Sequence, residues 1–455
     1  MDLQGKRVTV VGMGRTSVAL ARLLVREGAC PFVTEENASA KLEPFKAELE
    51  ALGVSFETGG HTEAAFADAA LVIPSPGVSP NLAPIRAAVE RGAELMGEME
   101  LASRYCAAPI IAVTGTNGKT TTTELLRSLI AGCGYRVTLA GNNALPFSAA
   151  VLEPGQPDYV VLEVSSYQLE TIKAFRPWIG CVLNVTPDHL ARHGTVENYA
   201  AAKSRMFENQ GAGDVAVVNH DDAFAREMGC GGPLRLPFSL KERISDGLWI
   251  DQGLIRHGDA IIAKTSDTIL PGRHNLENVL AALAAMRAGG FDGEKTLEQL
   301  RVFRGVEHRI EWVGEWDGVT WYNDSKSTNL DSLRVALESF DRPVVLIAGG
   351  EGKGGDYGIL RELVAEHVVE VITIGQDAPL IEAAFRDAVP VRRAPDMEDA
   401  VLRARAAARP GQAVLLSPGC ASFDMFDDFE HRGRVFKDCV RRAVIALPED
   451  LETRK

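Results

Sequence analysis

The 455-residue sequence has no apolar run approaching the roughly 18 residues that a membrane-spanning helix needs. Basic residues are in the minority. There are 48 Lys and Arg against 62 Asp and Glu, a formal net charge of −14, which argues against nucleic acid or an anionic membrane as the main partner. Basic groups that hold a phosphorylated ligand must therefore be local. Cysteines are few and scattered (Cys30, Cys106, Cys133, Cys181, Cys230, Cys420 and Cys439), with no Cys-x-x-Cys pair. That excludes a disulfide framework or a zinc ribbon and points to buried thiols in a reducing compartment. The opening Met1-Asp2-Leu3-Gln4-Gly5-Lys6 has no signal-peptide pattern, and neither internal repeats nor low-complexity tracts occur. A cytoplasmic chain of about three domains is expected.

What is present centres on Pro109 to Thr120. Ile110-Ile111-Ala112-Val113 is a short β-branched run that reads as a buried strand. It breaks into Thr114-Gly115-Thr116-Asn117-Gly118 and then Lys119-Thr120-Thr121-Thr122. Leu125, Leu126, Leu129 and Ile130 follow at helical spacing. Strand, glycine turn, Lys-Thr and helix form a phosphate cradle: turn and helix N–H groups face phosphate oxygens, and the helix dipole favours negative charge there. Lys119 is expected to reach the β/γ-phosphates and Thr120 to meet Mg²⁺. The general motif has a glycine at the position of Val113.

Taken from the start, Arg7–Val11 reads as a strand, followed by Gly12-Met13-Gly14-Arg15-Thr16-Ser17 and an amphipathic helix. This is a Rossmann-like opening with Ser17 at the third glycine position. It can hold a pyrophosphate without specifying whose. Glu35 and Glu36 follow the next strand, near where an acidic residue would meet a ribose or base edge. A third strand, Leu71–Ile73, runs into Pro74-Ser75-Pro76-Gly77, which is either a ligand loop at a strand's carboxyl end or a rigid turn.

Further on, Asp158–Glu163 reads as a strand with Glu163 placed to hold Mg²⁺ or to be a surface acid. Another strand, Cys181–Val185, leads into Thr186-Pro187-Asp188-His189, where His189 could ligate or orient a ligand. Lys203, on a helix, reads from its own neighbourhood as a solvated lysine. Residues 247–272 alternate as short hairpin strands. His274-Asn275-Leu276-Glu277-Asn278 begins a helix whose two asparagines could meet a base or cap it. A hairpin over Asp317-Gly318 precedes the polar loop Asn323–Asn329. Alternating strands and helices then run to Ser417-Pro418-Gly419-Cys420-Ala421-Ser422, giving another α/β layer structure.

Together the motifs Thr114–Thr120, Glu163-Val164-Ser165-Ser166-Tyr167-Gln168-Leu169, Asn184-Val185-Thr186-Pro187-Asp188-His189 and His274-Asn275 resemble the Mur ligases, ATP-dependent amide ligases of peptidoglycan synthesis. The loops Asn323–Asn329 and Leu416–Asp424 resemble the branch that adds D-glutamate. The resemblance implies an α/β chain of three domains: a Rossmann-like UDP-binding domain (1–97), a central P-loop ATPase domain with a parallel sheet plus a small β-hairpin sheet (98–304), and a Rossmann-like C-terminal domain for the amino acid (305–455). It implies that UDP-N-acetylmuramoyl-L-alanine, D-glutamate and ATP are the partners of a monomer, with two Mg²⁺ ions and CO₂ carried as a carbamate on Lys203.

By that resemblance Gly115 to Thr122, Asn275, Asn278, Arg309 and Asp324 meet ATP. Gly14, Arg15, Thr16, Glu35, Ser75, Pro76, Gly77, Asn142 and His189 meet the UDP-sugar. Thr328, Lys353, Ser422 and Phe429 meet D-glutamate. Thr120, Glu163, His189 and Lys203 hold metal, and Lys119, Glu163, His189 and Lys203 are the catalytic set. Two rival readings remain from the residues alone: a nicotinamide-dependent dehydrogenase resting on Gly12–Ser17, and an ATP-gated binding protein that makes no amide bond.

Overall fold

A computed structural model describes residues 1–142, 145–352 and 354–445. The chain forms two compact units, one of Met1–Asp267 with Glu277–Leu300, the other of Thr268–Leu276 with Arg301–Lys455.

The first unit contains two sheets. Strands β1 (Arg7–Val11), β2 (Cys30–Glu35), β3 (Ser55–Thr58), β4 (Leu71–Pro74) and β5 (Glu94–Leu95) form a parallel sheet in the order β3-β2-β1-β4-β5. Val8, Val10, Leu71 and Ile73 pack on Leu20, Leu23 and Leu24 of the helix Arg15–Arg26. Such near-continuous apolar strands are what a sheet covered on both faces requires.

The second sheet has nine strands: β6 (Ile110–Thr114), β7 (Val137–Gly141), β8 (Tyr159–Glu163), β9 (Ile179–Val182), β10 (Val215–Asn219), β11 (Leu234–Ser239), β12 (Leu248–Asp251), β13 (Leu254–His257) and β14 (Ala260–Lys264). Their order is β14-β13-β12-β11-β10-β9-β6-β8-β7, parallel except for the antiparallel pairings of β12, β13 and β14. The expected hairpins thus join the edge of the same hydrogen-bonded sheet through the β11–β12 pairing. Strand β9 ends at Val182, three residues before the expected Val185. From Leu183 the chain instead bonds the phosphate turn, with Leu183 N–H donating to Thr114 O over 3.0 Å.

In the second unit, β15 (Glu311–Trp316), β16 (Val319–Asn323), β17 (Val344–Gly349), β18 (Val368–Ile374), β19 (Val391–Arg393) and β20 (Ala413–Leu416) take the order β15-β16-β20-β17-β18-β19. Only the β15–β16 hairpin is antiparallel. Among the described residues no helix is long and apolar enough to cross a membrane. All seven cysteines are free. Cys181, Cys420 and Cys439 are buried, but Cys30 and Cys230 are exposed, so the expectation of buried thiols fails for those two.

One buried acid anchors the helix Glu98–Ser103 that precedes β6. Glu100 is fully buried, and its Oε2 accepts from the N–H groups of Lys173, Ala174 and Phe175 at 2.9, 3.0 and 2.8 Å, while Oε1 accepts from Arg104. Burial pushes the carboxyl upward, but these donors more than offset it and its pKa lies below the ordinary value. Its stabilising contribution is therefore present at neutral pH and is lost as pH falls through that lowered value. Glu100→Ala would leave the buried Phe175 N–H and the part-buried N–H groups of Lys173 and Ala174 without their acceptor and is expected to cost roughly 2 kcal/mol. The check is the urea midpoint at pH 7, which should fall; an unchanged midpoint would contradict the anchor.

Candidate active site

The phosphate turn leaves β6 at Thr114 and enters the helix Lys119–Gly132. Gly118 is left-handed at φ +84, and a Cβ there would lie 2.2 Å from Asn278 Oδ1. Only glycine lets the turn approach this closely. Val113 is buried in the strand itself, paired with Glu163 and Cys181, so no glycine is needed at that position. Asn184 braces the turn: its Oδ1 accepts from the N–H groups of Thr116 and Asn117 at 3.1 and 2.8 Å. Thr120 and Thr121 are half-buried at the helix start, whereas Thr122 is buried with its hydroxyl unpartnered.

Two lysines converge on one oxygen. Lys119 Nζ donates to Gly115 O and Thr116 O at 2.9 and 2.8 Å, and Lys203 Nζ donates to the same Gly115 O at 2.9 Å. Lys203, expected from its neighbourhood to be solvated, is instead almost wholly buried, on the inner side of the helix Val196–Ser204 with its amine over the Tyr199 ring. Burial first, and then the Lys119 charge, bring its pKa down to about 7. Sequence reading missed this because helical spacing says nothing about which neighbouring strand end covers the amine.

Glu163 ends β8 and is buried, its Oε1 accepting from Asn142 Nδ2 at 3.2 Å. His189 is exposed, left-handed at φ +54, with its ring 5.0 Å from that of Tyr167. A non-glycine residue in that conformation is held by its surroundings, a feature that clusters at functional sites. Here Asp188 Oδ1 accepts from the His189 N–H at 2.8 Å. The ends of β6, β7, β8 and β9, with the helix Val196–Ser204, thus carry Lys119, Thr120, Asn142, Glu163, His189 and Lys203.

At the first sheet, Gly14 precedes the helix Arg15–Arg26, with Arg15 exposed and Thr16 half-buried. Ser17 replaces a glycine by turning its hydroxyl to Gly12 O at 2.6 Å. Glu35 accepts from Met13 N–H and from both nitrogens of Asn37, so its carboxylate closes the turn. Burial raises its pKa, and those donors bring it below the ordinary value. Ser75 and Pro76 line a crevice with Glu98, Tyr167, Gln168 and Arg192, and Gly77 is exposed beside them.

In the second unit, Asp324 is buried. It accepts from Ser417 Oγ and Ile310 N–H at 2.8 and 3.1 Å, and burial pushes its pKa up to about 7. Arg309 is exposed between His308 and Ile310, both left-handed at φ +65 and +43. Asn275 Nδ2 donates to Pro271 O at 2.7 Å, tying the first turn of its helix to the segment before it. Thr328 is half-buried, Ser422 buried, and Phe429 O accepts from Ser325 Oγ at 2.8 Å. Lys353 lies outside the described residues. Sequence reading missed the bracing roles of Asn184 and Tyr199. Asn184 carried the signal of a polar residue just past an apolar strand; Tyr199 carried none.

Three family models match the chain in order: the N-terminal domain of MurD-like Mur ligases over residues 6–97, the Mur ligase middle domain over 113–286, and the Mur ligase glutamate ligase domain over 308–420. The UDP-N-acetylmuramoylalanine–D-glutamate ligase of Pelotomaculum thermopropionicum is 45% identical over 446 residues, covering 96% of this chain and 98% of that protein. The ligase of the same name from Pelodictyon phaeoclathratiforme is 43% identical, covering 97% and 99%. Among solved structures, the UDP-N-acetylmuramate-alanine ligase MurC of Thermotoga maritima superposes with a TM-score of 0.57 at 19% identity, covering 96% of this chain and 99% of that one. The MurF ligase of the same organism, in complex with ADP, gives 0.56 at 17%, covering 98% and 99%. At these identities the structures speak for the fold alone.

Gly118→Ala is expected to cost about 2 kcal/mol, from a strained φ and a displaced Asn278. It is also expected to weaken ADP binding by about tenfold. Thermal melting and calorimetric titration check the two effects separately.

Proposed function

This chain belongs to the Mur ligase family, and from that premise we propose that it joins D-glutamate to UDP-N-acetylmuramoyl-L-alanine with cleavage of ATP to ADP and phosphate. The observation that carries the reading is the meeting of Lys119 and Lys203 on Gly115 O beside Glu163. It is supported by relatives that bear this activity's name at 43–45% identity over nearly their whole length. In this reading residues 1–97 hold the UDP, 98–304 the ATP and 305–455 the amino acid, and the enzyme works in the cytoplasm as a monomer.

A carboxylate is not electrophilic until activated. The L-alanine carboxylate oxygen attacks the γ-phosphorus of ATP, the bond to ADP breaks, and an acyl phosphate forms. The D-glutamate amine then attacks the acyl carbon, giving a tetrahedral intermediate that expels phosphate and loses a proton. Two anions must approach in the first step, so positioning and charge neutralisation dominate. Lys119 swings from Gly115 O to the β/γ-phosphates, and the turn's N–H groups orient them. His189 orients the reacting carboxylate end of the UDP-sugar. Gly14, Arg15, Thr16, Glu35, Ser75, Pro76, Gly77 and Asn142 hold the remainder of that substrate. Asn275, Asn278, Arg309 and Asp324 hold the adenosine, and Thr328, Lys353, Ser422 and Phe429 the D-glutamate.

The donors fit magnesium: the Thr120 hydroxyl and the Glu163 carboxylate are hard oxygen ligands, with His189 alongside. Two such ions, when bound, supply positive charge between the phosphates and the carboxylate. Lys203 fits a carbamate. An amine with a pKa of about 7 is largely neutral above that pH, so its lone pair can form a C–N bond to CO₂ with loss of a proton. The cation then becomes an anionic oxygen ligand.

Phosphate release from ATP with UDP-N-acetylmuramoyl-L-alanine tests the proposal directly. Release should require D-glutamate and ignore L-glutamate, L-alanine and diamino acids; release indifferent to any amino acid would overturn it. Lys203→Ala is expected to lose at least about 100-fold in kcat, with part restored by a short carboxylic acid. Wild-type rates without added acid would remove the carbamate from the mechanism. With CO₂ limiting, wild-type activity should fall as pH drops below about 7, where Lys203 becomes protonated.

A further inference from the structure

Arg432 lies in the helix Phe429–Ile445 and is fully buried. Its Nε donates to Ser325 Oγ at 3.0 Å and its Nη2 to Ser325 O at 2.7 Å. Its Nη1 donates to Cys420 O and Ala421 O, both at 3.1 Å. Ser325 Oγ passes the contact on to Phe429 O at 2.8 Å. Ala421 is in turn paired with Glu351, N–H to O in both directions, at 2.9 and 3.0 Å. The guanidinium therefore ties together the segments that follow β16, β20 and β17, three neighbouring parallel strands.

The fit is built. A Cβ on Gly350 would stand 2.2 Å from Ala421 O and 3.2 Å from Arg432 Nη1, at a φ of +136, so a glycine backbone makes room for the clamp. The four acceptors are carbonyl and hydroxyl oxygens, not a carboxylate. Burial draws the Arg432 pKa down to about 10, so the group stays charged at neutral pH. Burying a cation this way is expensive, and an apolar side chain would pack a purely structural helix more cheaply. A planar fork of donors is what several carbonyls at fixed spacing need, and an ammonium cannot reproduce it.

We infer that Arg432 is the positioning residue of the amino-acid pocket, holding in register the three loops that carry Thr328, Ser422 and the Glu351 segment. This rests on the assignment of that pocket to D-glutamate made above. Arg432 touches no substrate itself. It acts through the backbone of Ser325, Cys420 and Ala421.

The test is steady-state kinetics of Arg432→Lys and Ser325→Ala at saturating ATP, varying D-glutamate and the UDP-sugar separately. Arg432→Lys is expected to raise KM for D-glutamate by about tenfold or more, leaving KM for the UDP-sugar within about twofold. Ser325→Ala, which removes only the hydroxyl hub, should raise the same KM by about threefold. A general loss of stability would not produce that split. Wild-type KM for D-glutamate in a folded Arg432→Lys, or KM values raised equally for both substrates, would overturn the inference. If Arg432→Lys does not fold, Ser325→Ala decides by the same criterion. Wild-type enzyme that does not turn over D-glutamate at all would instead overturn the pocket's assignment, a distinguishable outcome.

Discussion

The carbonyl oxygen of Gly115 accepts from two lysine ammonium groups, each at 2.9 Å, and much of the first unit serves that meeting. Burial disfavours a charged amine there, and the neighbouring Lys119 charge adds to the effect. Lys203, the more deeply buried, is brought near neutrality while Lys119 keeps its place in the turn. The arrangement needs Gly115 and Gly118 to bend the chain, Asn184 to hold the turn's N–H groups, and Tyr199 to cover the Lys203 amine. It also needs β6 to lie between β8 and β9, since those strand ends bring Glu163 and His189 to the same rim.

Each unit solves a related problem by burying charge and satisfying it with backbone. Glu100 collects three N–H groups from the 173–175 segment. Arg432 collects three carbonyls and a hydroxyl from two loops. Asp324 is held by a serine hydroxyl and one N–H, with burial pushing it toward the neutral form. Asp324 and Arg432 fix loops at the carboxyl ends of parallel strands, where an α/β sheet places its ligands, whereas Glu100 fixes the segment that leads into β9. Fixing loops by charge rather than by apolar packing suits sites that must themselves stay polar.

Much of this was legible along the chain. The strands β1, β4, β6, β17 and β20 fall where short apolar runs end in glycine or proline turns, and the Asp317-Gly318 hairpin forms as its turn residues require. Ser17 could stand for a glycine because its hydroxyl returns to Gly12 O, a contact visible only in three dimensions. Strand β9 stopped short because the phosphate turn takes over its hydrogen bonds. Strands β10 and β11 went unread; Pro237 interrupts β11, whereas β10 is a continuous buried run of the same kind as those that were read.

Local chemistry by itself determined the phosphate turn and the order of the elements, because those depend on residues adjacent in the chain: a strand, its turn glycines and the helix that follows; the ligase family came from the resemblance of its motifs. Only the tertiary structure decided the state of single side chains. Lys203 reads as solvated and proves buried, Arg432 carried no signal along the chain and proves buried among carbonyls, and Cys30 and Cys230 prove exposed. The physical reason is that burial and hydrogen-bond partners come from residues tens to hundreds of positions away. Those partners, not a side chain's own neighbours, set its charge and its role.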